Sequence, residues 1–381
     1  LENKLKNIPT PFYYYDVDVL HNSLKAVTDS ANPAGYHVHY ALKANVNKKI
    51  LTIIKNAGLG ADCVSGNEVK RAVELGFDKN KIVFAGVGKS DKEIEYALEQ
   101  DIFCFNCESK QELEVINEIA GSKNKKARIA LRINPNVNAN THHYITTGLE
   151  ENKFGINIWE LEAVMDLIES LKSIELIGLH FHIGSQINDL TSFKNLCTRV
   201  NEIQQWFENR KIHIANLNMG GGLGIDYKNP ETNPVPDFAA YFNVFKQFLT
   251  VKPNQQVHFE LGRSIVGNCA SLISKVLYIK NGINTNFAIL DAGMTDLIRP
   301  ALYQAFHKIE NISSKEETLV NYDVVGPICE SSDCFGKAVQ LPLTKRGDLI
   351  AIKSTGAYGE VMVSEYNLRE KPLAIYSDEL I

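Results

Sequence analysis

The feature that most constrains this chain is an alternation of short apolar runs with amphipathic segments over its first two thirds. Eight runs have strand length and strand composition, at 37–42, 58–64, 81–85, 101–105, 127–133, 174–183, 214–219 and 256–261. Between them, segments such as 69–75, 90–99, 110–119, 159–171, 190–210 and 237–249 carry apolar residues at helical spacing. Parallel strands need a crossover, most often a helix, so this alternation predicts a parallel sheet. Eight such units predict a closed (β/α)8 barrel of the TIM type, with an open doubly wound sheet as the alternative.

From about residue 264 the texture changes. Runs at 270–278, 286–290, 322–325, 338–343 and 348–353 are short, rich in Val and Ile, and separated by turn residues. That pattern predicts an antiparallel β domain. The aromatic stretch Pro9-Thr-Pro-Phe-Tyr-Tyr-Tyr15 suits an early strand outside the repeat, followed by a helical pattern at 18–31. The expected organisation is a strand within 1–17 that joins the β domain, a barrel over 18–263, and the rest of the β domain over 264–381. At 381 residues two domains are the default.

Composition narrows the function. With 44% hydrophobic residues, 22% charged residues and a net charge of −5, the chain reads as ordinary and globular. It has no Lys/Arg block, which argues against a nucleic-acid partner. No apolar run reaches the roughly 18 residues that span a bilayer, so no membrane association is expected. The start, Leu1-Glu2-Asn3-Lys4, lacks the apolar core of a signal peptide. Seven scattered cysteines fit reduced thiols, and the expected compartment is the cytoplasm. Cys104 and Cys107 have redox spacing but lie in an apolar strand-like run, where residues three apart face opposite ways. They read as buried packing.

In a barrel of this kind the chemistry gathers at the C-terminal ends of the strands. Here those ends carry Lys43, Asp62, Gly86, Asn106, Arg132, His182, Gly220-Gly221-Gly222 and Glu260 with Arg263. The loops after the last two strands, Met219-Gly-Gly-Gly-Leu-Gly224 and Glu260-Leu-Gly262-Arg263, suit a phosphate: glycines let backbone N–H groups approach, and Arg263 adds charge. His182, nearer the mouth than His180, can stack on a flat ring. His180 is read equally as packing, and no metal site is expected because further ligands are missing. Lys43 with a phosphate cradle, a carboxylate and a histidine is the set that pyridoxal 5'-phosphate requires. Glu260 against the pyridine nitrogen would make the ring a strong electron sink, which suits decarboxylation and disfavours a racemase. In the β domain, Cys329 is a candidate proton donor and Tyr358 a hydrogen-bond donor to phosphate or substrate. Arg299 and Tyr303, four apart, face one way on a helical turn and suit a carboxylate clamp.

These pieces resemble a known family. Tyr40-Ala-Leu-Lys-Ala-Asn45, Ala61-Asp-Cys-Val-Ser-Gly66, Asn152-Lys-Phe-Gly155, His182-Ile-Gly-Ser-Gln186, Gly220-Gly-Gly-Leu-Gly224, Glu260-Leu-Gly-Arg263, Cys329-Glu330 and Gly356-Ala-Tyr358 occur in the order seen in fold-type III pyridoxal-phosphate decarboxylases. Over nearly its whole length the chain is most similar to the diaminopimelate decarboxylases of lysine biosynthesis. The resemblance implies that Lys43 holds the cofactor as a Schiff base and that His182 stacks on its ring. It implies that Ser185, Gly221, Gly222 and the Glu260–Arg263 loop contact phosphate or ring nitrogen. It also implies a head-to-tail homodimer in which Cys329 and Glu330 reach the partner's barrel. The small-molecule substrate would be meso-2,6-diaminopimelate, its far end met by Arg299, Tyr303, Glu330 and Tyr358 with help from Arg263. Leu261 stands where the family often has Pro, and the residues after Asn45 vary among relatives. Alternatives are another basic amino acid (ornithine, arginine, lysine or carboxynorspermidine) and a non-catalytic pyridoxal-phosphate carrier, although carriers of this fold generally resemble the barrel alone.

Overall fold

In the computed structural model, which describes residues 2–137 and 153–380, strand β1 (Phe12–Tyr15) precedes eight parallel strands. These are β2 (Tyr36–Ala41), β3 (Gly60–Cys63), β4 (Ile82–Phe84), β5 (Cys104–Cys107), β6 (Ala127–Arg132), β7 (Ile174–His180), β8 (Asn216–Asn218) and β9 (Gln256–Leu261). They form a closed barrel in sequence order, which rules out the open sheet. Closure is made by β9 against β2, with Tyr36 opposite Val257 and Tyr40 opposite Leu261. The strands are buried on both faces, as a helix-covered parallel sheet requires, so they read as apolar runs rather than as alternations.

The helices start where the sequence places capping residues. Asn47 accepts from the backbone N–H groups of Lys49 and Ile50 to open Lys48–Asn56, Ser65 caps Gly66–Glu74, and Ser109 caps Lys110–Ser122. Ser90 and Glu93 make a capping box for Asp91–Gln100. Each cap lies close behind a strand, so the loops at that end of the barrel are short. One strand is displaced from its expected place. The run at 101–105 begins with Asp101, which takes the left-handed C-cap of the preceding helix (φ 53°), and β5 therefore starts at Cys104. Cys104 and Cys107 are buried free thiols within it, and burial pushes both above the usual thiol range.

The remaining strands are β10 (Ala270–Asn281), β11 (Asn286–Leu290), β12 (Ile309–Asn311), β13 (Leu319–Val325), β14 (Cys334–Pro342), β15 (Leu349–Ile352) and β16 (Leu373–Tyr376). Six of them follow the order β12-β15-β10-β11-β13-β14, and β1 joins by pairing antiparallel to β10 and parallel to β16. The sheet is mostly antiparallel, with β11–β13 as a second parallel pairing. By internal contacts the chain divides into a barrel unit, Leu24–Gly224 with Asp237–Gly262, and a β unit, Leu1–Ser23 with Ile225–Pro236 and Arg263–Ile381. Among the described residues no helix is long and apolar enough to cross a membrane.

Candidate active site

In the barrel unit the strand ends converge on Glu260, near the end of β9. Its Oε1 accepts from Asn106 Nδ2 at 3.0 Å and from Asn218 Nδ2 at 2.7 Å, while Oε2 meets His180 Nε2 at 2.9 Å. The side chain is buried, which by itself disfavours ionisation. The His180 contact outweighs that cost, with help from the charge of Lys43, and holds Glu260 well below the usual carboxylate range. Asp62, at the end of β3, goes the other way: burial and then the Glu260 charge push it well above its usual value. Its Oδ1 is buried with no hydrogen-bond partner. The two carboxyl groups are thus pushed in opposite directions, Glu260 toward its ionised form and Asp62 toward its protonated one, a split of the kind that marks acid–base sites.

Lys43 lies in the single turn Leu42–Ala44 that follows β2. The Tyr40 hydroxyl donates to the Asn45 carbonyl at 3.1 Å and fixes that turn. Gly262 leaves room for Ala41 and Ala44 on either side of Lys43; a Cβ there would press on both methyl groups at 3.1 Å. The Lys43 charge bears on Asp62, Glu68, His182 and Glu260 alike. His182, just past β7, is driven well below its usual pKa by burial and then by Lys43 and Arg132, so its ring is neutral. Its Nδ1 accepts from the Gly221 N–H at 3.5 Å.

The loop after β7 and the glycine loop after β8 are joined edge to edge. Ile187 N–H donates to Gly222 O at 2.9 Å and Gly224 N–H to Ile187 O at 3.0 Å, which brings Ser185 alongside the glycines. A side chain at Gly221 would overlap the Glu260 carbonyl oxygen, and Gly222 has φ +109°, a conformation that favours glycine. At the neighbouring strand ends, Arg132 pairs with Glu108 at 3.0 Å and lies over the Phe154 ring. Glu108 also accepts from the N–H groups of Gly86 and Gly155. The Asn152 that begins the Asn-Lys-Phe-Gly motif lies outside the described residues.

The β unit holds a second cluster. Arg299 begins the short helix Arg299–Tyr303, so Tyr303 shares its turn. Arg263 donates to the Tyr227 hydroxyl oxygen at 2.5 Å, and Arg299 donates to the same oxygen at 3.1 Å. The Arg263 guanidinium lies 5.0 Å from the Tyr358 ring centre and that of Arg299 6.0 Å from it. Tyr358 has φ +57°, unusual for an aromatic residue, in a loop whose Gly356 could carry no side chain without striking Val266 O. Arg299 is buried, its Nε has no hydrogen-bond partner, and it makes no ion pair among the described residues. Burial lowers its pKa, and the nearby Arg263 charge adds to that. A buried cation with no anion is a costly arrangement that a ligand carboxylate would relieve. Cys329 and Glu330 are elsewhere, exposed on a turn held by Asp333, which accepts from Ile328 N–H; Glu330 accepts from the Tyr366 hydroxyl at 2.7 Å.

The strand-end residues of the barrel unit read from the sequence therefore do cluster, and Arg263, read both with the phosphate loop and with Arg299, lies in the β unit. It partners Tyr227 and Tyr358, beside Arg299. Asn218, Glu108 and Tyr227 were not singled out by sequence reasoning. Asn218 sits one residue before the end of an apolar run, a signal that was available; Tyr227 carries none.

Comparison with known proteins decides the family. Residues 19–267 match the family model described as the pyridoxal binding domain of pyridoxal-dependent decarboxylases. A diaminopimelate decarboxylase from Bacteroides thetaiotaomicron is 59% identical over 380 residues, covering 100% of this chain and 98% of that protein. The chain belongs to the diaminopimelate decarboxylase family. A second member, from Aquifex aeolicus, is 39% identical over 97% of this chain and 87% of its own length. The crystal structure of the Helicobacter pylori diaminopimelate decarboxylase complexed with L-lysine superposes with a TM-score of 0.92 at 41% identity, covering 98% of this chain and 93% of that one.

The barrel residues fit the family's cofactor on their own geometry. Among the described residues Glu260 accepts three hydrogen bonds, leaving acceptor capacity for a protonated ring nitrogen. Gly221 and Gly222 have no room for a side chain, so a ligand there would meet backbone, and the Lys43 charge reaches both Asp62 and Glu260.

Proposed function

We propose that this chain decarboxylates meso-2,6-diaminopimelate to L-lysine and CO2, with pyridoxal 5'-phosphate held through Lys43. The observation that carries the reading is Glu260, kept ionised in a buried cage of two amides and an imidazole. When bound, the cofactor's protonated ring supplies the electron sink that accepts the bonding pair as CO2 leaves. Glu260 keeps the ring nitrogen protonated, and the neutral His182 ring packs on its face. Ser185, Gly221, Gly222 and Gly262 orient the phosphate through N–H and O–H donors, with Tyr358 as a further donor. Lys43 would hold the cofactor covalently through its Nζ.

At the other end of the substrate, Arg299 and Arg263 grip the far carboxylate, and Tyr303 adds a hydroxyl. A substrate without that carboxylate would leave the buried Arg299 charge unpaired, a mismatch worth on the order of 10⁴ in discrimination. Lysine and ornithine are therefore expected to be very poor substrates. Cys329 returns a proton from Sγ to the carbon that has lost CO2, and Glu330 takes the far ammonium. Both lie on an exposed turn, which suits work in a second copy of the chain within a homodimer. The free thiols suit the reducing cytoplasm.

The test is CO2 release by the purified protein, supplied with pyridoxal phosphate, across meso-diaminopimelate, lysine, ornithine and arginine. Release from diaminopimelate far above the others is expected. Preferential release from a substrate lacking the distal carboxylate would overturn the substrate assignment while leaving the cofactor assignment in place.

A further inference from the structure

Two buried guanidinium groups drawn together repel each other, and something must hold them. In the β unit one oxygen is bonded to both. Tyr227 OH accepts from Arg263 at 2.5 Å and from Arg299 at 3.1 Å, and no other side chain donates to it or accepts from it among the described residues. A phenol oxygen serving two cationic donors uses its acceptor capacity, so its own proton points elsewhere. The ring contributes as well: both guanidinium carbons lie within cation–π distance of its centre, 5.9 Å for Arg263 and 5.5 Å for Arg299.

Tyr227 is itself fixed. Asp226 Oδ1 accepts from the N–H groups of Lys228 and Asn229 at 2.8 and 2.9 Å, and its Oδ2 from Asn233 at 3.0 Å, so the loop on either side of Tyr227 is tied down. The ring also packs edge-to-face with His307, centroids 5.2 Å apart at 81°. His307 is buried and its Nδ1 is bonded to the Lys353 carbonyl at 2.9 Å, so it forms a fixed wall. Without the hydroxyl, Arg299 retains among the described residues one long hydrogen bond, to Ala357 O at 3.4 Å.

We infer that Tyr227 is a positioning residue for substrate selection: its hydroxyl holds Arg263 and Arg299 at the separation at which together they take the far carboxylate of a diamino diacid. The inference rests on the proposed distal clamp and deepens it. Tyr227 acts through the arginines, and no contact of its own with the substrate is invoked.

The experiment uses the holoenzyme and three variants: Tyr227→Phe, Arg299→Met and the double variant. Tyr227→Phe keeps the ring against His307 and removes only the acceptor. The expected result is a rise of about tenfold in KM for meso-diaminopimelate, the scale of a lost charge-assisted hydrogen bond, with kcat falling far less. L-Lysine, the product, keeps the far amino-acid end, so its inhibition constant should rise by the same factor. The cofactor's visible band and the melting temperature should not move. The double variant should be little worse than Arg299→Met alone, because with one guanidinium gone there is no separation left for the hydroxyl to set. Penalties that multiply in the double variant would identify a general packing defect and overturn the inference. A crippled Arg299→Met beside a Tyr227→Phe with unchanged KM and lysine inhibition would overturn it while sparing the clamp. Normal turnover by Arg299→Met would overturn the clamp and this inference with it.

Discussion

In the barrel unit two buried carboxyl groups are pushed in opposite directions. Glu260 is held well below the usual carboxylate range by the His180 contact and the Lys43 charge, while burial and then the Glu260 charge push Asp62 up. Glu260→Gln isolates that charge. His180 Nδ1 has no hydrogen-bond partner, so the ring proton can move there and leave Nε2 to accept from the new amide. The variant should therefore fold and bind cofactor, yet lose on the order of 10²-fold or more in kcat, the usual scale for removing a preorganised electrostatic partner. A kcat within a few fold of wild type would mean that the ring nitrogen's proton is held by another group. Lys43→Ala makes a sharper test: it should abolish turnover, the visible band and any borohydride-fixed cofactor, with the melting profile retained. Cofactor still fixed by borohydride in that variant would show that a different lysine is used. At this scale the sequence was a partial guide. Lys43, His182 and Glu260 stand at strand ends and are legible from strand spacing alone. Tyr227 is not, because a lone tyrosine after a glycine loop has no period and no motif; only the convergence of two arginines on its oxygen shows what it does.

Elements were more legible than residues, for a physical reason. Every barrel strand buries both faces and every helix buries one, so each leaves its own period in the chain, and the caps Asn47, Ser65, Ser90 and Ser109 mark the joins. β12 and β16 escaped because three or four residues are too few to show a period. How the barrel shuts was also hidden. Where β9 meets β2, His39 Nδ1 contacts Lys81 O at 2.9 Å, His39 Nε2 contacts His258 Nδ1 at 3.0 Å, and His258 Nε2 contacts Asn216 Oδ1 at 3.1 Å. Burial holds both rings neutral, pushing His39 down to about 4 and His258 well below its usual value. Two neutral imidazoles carry two N–H protons for these three contacts, so the seam is one proton short of full satisfaction. The sign of the pH effect follows. The folded-state pKa values are lowered, so below the unfolded value of about 6.5 the unfolded chain binds more protons than the folded one. Stability is therefore full above that pH and falls as the pH drops toward 4, by about 1.4 kcal/mol per pH unit for each histidine involved. Urea midpoints measured between pH 7 and pH 5 should decline, and His39→Gln should decline less steeply. Equal slopes for the variant and the wild type would place the acid sensitivity elsewhere.

For the whole molecule, closure of eight βα units into a barrel was written in their number, and the sheet that accompanies it in the change of texture near residue 264. Assembly was not written there, because a surface that meets a second copy looks like any other surface until the copy is present. The chemistry nevertheless makes a demand. A proton must reach the carbon that loses CO2, and the candidate donor Cys329 is exposed on its own chain, on a turn whose neighbour Glu330 is bonded to Tyr366. If that turn completes the site of a second copy, two defective proteins should repair each other. Lys43→Ala lacks the cofactor anchor and Cys329→Ala lacks the proton donor, so each alone should be nearly inactive. In a heterodimer of the two, one site carries both lesions and the other carries neither. Random exchange of equal amounts makes half of the dimers mixed, so about a quarter of all sites should be intact and activity should recover toward about that fraction of wild type. Exchange is verified independently with two affinity tags of different mass, and dilution below the dimer's dissociation constant should remove the recovered activity. Proven exchange with no recovery would mean that each chain supplies its own proton donor, and Cys329 would then have to reach its own barrel or yield the role to another group.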